Sequence, residues 1–184
     1  YSHQHGDQVH GINDLRIFSI KKSKKIPIYA DLETKKYLIN NFSYCFNNTQ
    51  DYSAILSLNN IKKKFVFFDN YNRIEIRSIP VEHGRIQSQS IIVNNTCAYI
   101  SDANKIYSKD LKKFKNLKHL IIDCLRIKHH PSHFNLSEVI NLTKIIKPKK
   151  TILTNLTSDL DYNYLLQNLP KNIVPAYDGM SFYI

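Results

Sequence analysis

Polar and apolar positions alternate most clearly along residues 73–83, "RIEIRSIPVEH", with the two-residue period of a half-exposed strand. "KFVFFD" before it also reads as a strand, and "IPIYA" as an earlier one. "SIIVNNTCAYISD" holds two apolar runs joined by Asn-Asn-Thr, residues that tolerate tight turns, and predicts a hairpin. The densest apolar stretch, "LKHLIIDCL", has the length of a buried strand and is too short to cross a bilayer. "TILTNL" predicts another buried strand and "MSFYI" a last one. Helices are predicted over "VHGINDLRIFSI", over 32–42 behind an Asp31 cap, and briefly around 109–115. "LSEVINLTKIIK", capped by Asn135 or Ser137 and stopped by Pro148, predicts the next helix, and "DYNYLLQNL" the last. Residues 43–62 read as an irregular excursion. Hairpins early and β-α-β units late predict a mixed α/β layered domain.

Composition narrows this picture without changing it. At 184 residues the chain has the size of one domain, 1–184, with enough length to bury a core. Apolar residues are 42% and aromatics 11%, which separates it from disordered chains, poorer in both. Only four glycines occur, and no repeat or linker divides the sequence. There is no bilayer-length apolar run and no charged-then-apolar leader, so no membrane partner is expected. Cys45, Cys97 and Cys124 are odd in number and far apart. They read as reduced core thiols of a cytoplasmic protein. The net charge of +11 is spread over "KKSKK", "IKKKF", "KDLKKFKNLK" and "IIKPKK". Lysine far outnumbers arginine, the better bidentate phosphate reader, so solvated lysine faces explain the charge better than one nucleic-acid stripe.

The chemistry gathers in "YSHQHGDQVHG". His3 and His5, at i and i+2, project to one side of an extended backbone and can converge on one cation. Gly6 permits a sharp bend, and Asp7 follows just before a helix. His83 ends a strand in "PVEHG" and Asp102 ends one in "AYISD"; strand ends followed by loops are where α/β folds place their sites. Histidines and aspartates together suit zinc or manganese.

These residues carry a resemblance. "YSHQHGDQVHGINDLR" resembles T-H-x-H-x-D-H-x-x-G-[IL]-x-D-L-R of the metallo-β-lactamase-fold hydrolases, in the branch of ribonuclease Z and the cyclic-phosphate phosphodiesterases of phosphonate breakdown. "VEHG", "YISD", "HPSHFNLSEVI", "ILTNLTSDLDY" and "AYDGM" match in family order. The resemblance implies an αββα sandwich with two metals in its cleft, and a metal-activated water that attacks a phosphodiester. It places His3, His5 and His83 as ligands of the first metal, Asp102 as the bridging carboxylate and Asp7 as a catalytic carboxylate on the second metal. It places His133 where relatives carry a histidine that protonates the leaving oxygen.

Two positions depart from the pattern. Gln8 stands where the family has the last histidine of H-x-H-x-D-H, and "TNLTSD" puts Thr157 where T-N-x-H-x-D has another. Both belong to the second metal, leaving it Asp7 and Asp102 alone, so one metal per chain is expected rather than two. Tyr1 falls in the strand that leads into the motif, so the sandwich is expected to be N-terminally truncated, its missing strands supplied by a partner chain or a homodimer. The reading that follows is a metal-dependent phosphodiesterase for small or nucleotide phosphodiesters, with an intact first site and a degraded second. Its alternatives are a catalytically decayed member kept for binding or structure, and, third, a basic nucleic-acid-binding domain.

Overall fold

The computed structural model describes residues 1–70 and 72–184, and its contacts divide into two units, Tyr1–Lys62 and Lys63–Ile184.

In the first unit the histidine loop runs into α1 (Gly6–Val9), a 3₁₀ stretch (His10–Leu15) and α2 (Arg16–Lys22). Ser23, left-handed at φ 48°, ends that run. Strand β1 (Ile26–Ala30) leads to α3 (Leu32–Asn41), whose first turn is held by Asp31 accepting from the Thr34 amide at 2.9 Å. After a 3₁₀ turn at Ser43–Cys45, β2 (Leu56–Asn60) pairs parallel to β1, with Ile26 opposite Leu56. The expected irregular excursion over 43–62 therefore contains a strand. Val9, Ile12, Ile28, Ala30, Leu38, Cys45, Ile55 and Leu56 form the unit's core, so β2 exists because its first residue completes an apolar layer begun by β1 and α3.

The second unit is one seven-stranded sheet in chain order: β3 (Lys64–Asp69), β4 (Asn72–His83), β5 (Ile86–Val93), β6 (Cys97–Ile100), β7 (His119–Asp123), β8 (Lys150–Thr154) and β9 (Ile173–Pro175). The β3 to β6 pairings are antiparallel and those from β6 to β9 parallel. The predicted β5–β6 hairpin turns on Asn94 and Asn95, left-handed at φ 50° and 53°, which asparagine tolerates best after glycine. Helix α4 (Leu136–Ile146) starts in a full capping box: Asn135 accepts from the Glu138 amide while Glu138 accepts from that of Asn135. Helix α5 (Tyr162–Asn168) is capped by Asp161. Ile79, Val81, Ile92, Ile100, Leu120, Ile122 and Leu153 from the strands pack with Phe114, Val139, Ile146 and Leu165. Each such side chain stabilises the fold by about 1.5–3 kcal/mol.

The last strand differs from the sequence reading. Residues 180–184 form none; β9 lies earlier, where buried Ile173 joins the core, whereas Tyr183 is 94% exposed. All three cysteines are buried and free, as expected. Burial, with Asp123 and Asp159 nearby, pushes the Cys124 thiol up to about 12. Among the described residues no helix is long and apolar enough to cross a membrane.

Candidate functional site

The carboxyl ends of β4, β6, β7 and β8 lie on one edge of the large sheet, because β6, β7 and β8 run parallel and two antiparallel steps restore that direction in β4. His83 closes β4, Asp102 follows β6, Asp123 closes β7 and Asn155 follows β8. The 124–135 segment brings His133 to the same edge. Fold topology thus gathers residues that are far apart in sequence.

His83 is buried, and its Nδ1 donates to the Ser132 carbonyl at 2.6 Å. A carbonyl only accepts, so in the neutral ring Nε2 carries the lone pair, the tautomer of a histidine metal ligand. Gly84 makes this close approach feasible. Its φ is +60°, and a Cβ there would lie 2.9 Å from the Ser132 Cβ.

His133 donates from Nδ1 to Asp123 Oδ2 at 2.7 Å, and the Ala103 amide donates to the same oxygen at 3.0 Å. Asp123 is fully buried. Burial pushes its carboxyl above the usual range, against the opposing pull of the His133 and Ala103 hydrogen bonds. The His133 ring meets that of His83 edge-on at 4.7 Å and that of His130 at 5.0 Å. Burial, then His133 and Arg126, hold the His130 imidazole below its ordinary value. Its Nδ1 accepts from the Ser132 amide at 3.2 Å.

Asp102 supplies the unmet charge. Its Oδ1 lies 3.9 Å from His133 Nδ1 and 3.5 Å from the Asn155 amide nitrogen. Among the described residues its Oδ2 is buried without a hydrogen-bond partner. A buried anionic oxygen without a donor is costly unless a cation is its partner. Ligating atoms of His83, Asp102 and His133 lie within 4.8 Å of one another. This donor set fits a divalent cation of borderline softness.

In the first unit, His3 is buried and His5 exposed, and His3 Nε2 faces His5 Nδ1 at 3.0 Å. The i, i+2 convergence read from the sequence is present. His10 packs where a Gly6 Cβ would stand, 2.8 Å away, which explains that glycine. Asp7 Oδ2 accepts from the Gln8 amide at 2.8 Å. What burial it has pushes the Asp7 carboxyl up, but Gln8, the backbone, His3 and His5 outweigh it and hold the group below its usual value. In the second unit, the Thr157 hydroxyl lies 2.7 Å from the Leu125 carbonyl and 2.5 Å from Asp159.

Sequence reasoning missed Asp123 and Asn155. An aspartate ending the densest apolar run was a usable signal for the first. Nothing local marked Asn155, left-handed at φ 60°, whose amide reaches the Ser101 carbonyl at 2.7 Å.

The sequence model of the β-lactamase superfamily domain matches residues 1–154. No curated protein matches the chain. Among solved structures, a diphosphatase of the PhnP family is 25% identical over all of this chain and 70% of its own, with a TM-score of 0.86. YhfI of Bacillus subtilis, a metallo-β-lactamase-fold protein, is 17% identical over 97% and 74%, with a TM-score of 0.72. The short form of human tRNase Z is 15% identical over 97% and 75%, with a TM-score of 0.66.

Proposed function

Because the chain belongs to the β-lactamase superfamily and has the metallo-β-lactamase fold, we propose that it is a metal-dependent hydrolase of phosphoesters, phosphodiesters foremost. The observation that carries this reading is Asp102, whose buried Oδ2 has no donor among the described residues, beside a histidine held in the ligating tautomer by Ser132. The PhnP-family diphosphatase and tRNase Z among its neighbours support phosphorus as the site of attack.

In this reading His3, His5, His83 and Asp102 hold one divalent metal, zinc or manganese by ligand type. When bound, the cation acidifies a water and neutralises charge on the phosphate oxygens. The chain's own groups do the rest. His133 delivers a proton from Nε2 to the leaving oxygen. Asp123, accepting from Nδ1 at 2.7 Å, orients the ring and stabilises the imidazolium from which Nε2 gives up its proton. Asn155 steadies Asp102 and the Ser101 carbonyl from the end of β8. Asp7, the remaining carboxylate of the second position, is engaged by Gln8, which favours one metal per chain.

The same engagement of Asp7 and Thr157 supports a second reading, in which the site binds its metal and phosphoester without turnover. The deciding experiment is metal content by elemental analysis after dialysis, with hydrolysis of bis(p-nitrophenyl) phosphate measured on the same sample. About one equivalent that is lost in His83→Ala, with turnover lost in parallel, supports the enzyme. One equivalent without turnover supports the binding protein. A chain that holds no metal under any divalent supply overturns both.

A further inference from the structure

We propose that the β3–β4 hairpin and the cavity at its base form a binding site for single-stranded nucleic acid, separate from the catalytic edge. The cavity, about 530 Å³, is lined by Lys63, Lys64, Arg77, Lys109 and Lys113, over a floor that includes Ile79 and Pro80. Arg73 adds a sixth cation on the hairpin. Two carboxylates answer these six. Glu75 binds Lys64, Arg73 and Arg77 at 2.8–3.0 Å, and Asp110 binds Lys113. Four positive charges are left in excess, and Lys63 and Lys109 have no carboxylate partner among the described residues.

The pairing register places Lys64, Val66 and Phe68 opposite Arg77, Glu75 and Arg73, so these residues share one face of the hairpin. Phe68 on that face is 73% exposed. On the other face Phe65 and Phe67 stack at 6.1 Å and 10°. β3 is also an edge strand of the sheet, with a ladder partner on one side only among the described strands. A concave cationic surface beside an exposed ring is the combination that binds unpaired strands, phosphates on the cations and a base on the ring. A duplex keeps its base faces stacked inside and has no use for Phe68. Lys64, Arg77 and Arg73 sit along the extended hairpin, and Lys63, Lys109 and Lys113 lie at or near its base, a spread that matches a chain of phosphates better than a single anion.

The site does not depend on the proposed metal centre. His83 lies six residues beyond Arg77 on the same strand, a separation of about 20 Å. Binding is therefore expected to be the same with EDTA as with added zinc.

The test is fluorescence anisotropy of a labelled oligouridylate and a labelled oligothymidylate with the whole chain across a salt series. Lys63→Glu with Lys109→Glu should weaken binding at least tenfold and flatten the salt dependence by roughly 0.7 in log–log slope for each phosphate no longer neutralised. Phe68→Ala should weaken it roughly fivefold or more while leaving that slope unchanged. Lys144→Glu with Lys171→Glu changes net charge equally elsewhere and should have little effect. Equal losses in the two lysine pairs would reduce the finding to net charge and overturn the site. Binding abolished by EDTA would move the ligand to the metal centre, and binding of pyrophosphate but neither oligonucleotide would make the cavity a small-anion site. Either result overturns the proposal. Preference for the uridylate or the thymidylate separates RNA from DNA as the source of the strand.

Discussion

Replacing His133 by alanine separates a proton donor from a structural histidine. The imidazole is one of two donors to Asp123 Oδ2, at 2.7 Å, the Ala103 amide being the other at 3.0 Å. Its removal leaves a fully buried carboxyl oxygen with one donor, at a cost of about 1–3 kcal/mol. In a chain of this size each kcal/mol lowers the thermal midpoint by about 2–4 °C, so differential scanning fluorimetry should show a fall of roughly 2–12 °C. The kinetic consequence depends on the leaving group. Nitrophenolate departs as an anion at neutral pH, whereas an alkoxide needs a proton. With zinc or manganese supplied, His133→Ala should lower kcat by about 10²–10⁴-fold for an alkyl phosphodiester and by less than roughly tenfold for a nitrophenyl one. Asp123→Asn refines the test. An amide oxygen in the Oδ2 position still accepts from His133 and Ala103, but the amide nitrogen then faces the Asn155 nitrogen, which lies 3.4 Å from Oδ1. A smaller stability loss, about 1 kcal/mol, and a rate loss with the same leaving-group bias are expected. Equal losses on alkyl and aryl substrates would refute the role of His133 as acid and leave it a ligand or a wall.

Gly84→Ala should destabilise the chain by about 1–2 kcal/mol through its left-handed backbone alone, and by more because the new methyl meets Ser132, whose carbonyl orients His83; reduced metal content with a lower thermal midpoint would confirm it. Asn135→Ala breaks the α4 capping box and should cost about 1 kcal/mol, seen as a lower midpoint with the leaving-group bias unchanged. Lys64, then Arg73 and Arg77, hold the Glu75 carboxyl down from 4.5 to about 2. That stabilisation is present above the ordinary value and is lost as pH falls through the folded one, so between about pH 4.5 and 2 the midpoint of the parent should fall more steeply than that of Glu75→Gln. Gln8→His together with Thr157→His should raise bound metal from one equivalent towards two by elemental analysis, and an unchanged content would show that the second position is not limited by ligands.

What was legible in the sequence is what local chemistry decides. Asp31 and Asn135 cap their helices within four residues of themselves, so their patterns can be read without the fold; Asp161, read only as the first residue of the last helix, caps it in the same way. The Asn94–Asn95 turn is equally local. β2 is not local. "LSLNN" has polar residues at three of its five positions and becomes a strand only because β1 offers a parallel partner 30 positions away in register. The reverse error at "MSFYI" has the same cause. An apolar run without a neighbouring strand satisfies no ladder, and Phe182 settles for a ring contact with His119 at 4.6 Å. In the second unit His83 and Asp102 were visible as residue types at strand ends and His133 in a family motif, as His3 and His5 were in the first. Asp123 was marked only by its place at the end of the densest apolar run, and Asn155 and the Ser132 carbonyl had no local signal, because the roles of all three are hydrogen bonds spanning 10, 53 and 49 residues. Candidate ligands can be proposed from a motif, while the groups that would aim them are set by topology.

Gln8 and Thr157 acquire physical content from the same kind of bond. A glutamine in place of a metal-binding histidine could have left its neighbours unchanged, yet here its amide donates to Asp7 Oδ2 at 2.8 Å while its oxygen accepts from Ser2 at 3.3 Å. The carboxylate that a second cation would use is thereby given a neutral partner. Thr157, likewise, is tied into a turn with Leu125 and Asp159, and its hydroxyl, first among the causes, helps hold the Asp159 carboxyl below its usual value. Each replacement is absorbed into local hydrogen bonding, so on the proposed one-metal reading each acts independently of the other. Reverting Gln8 alone frees Asp7 but supplies too few ligands, and reverting Thr157 alone breaks its turn while Asp7 stays engaged. The two reversions should therefore be strongly non-additive in metal content, with nearly the whole gain appearing only in the double variant.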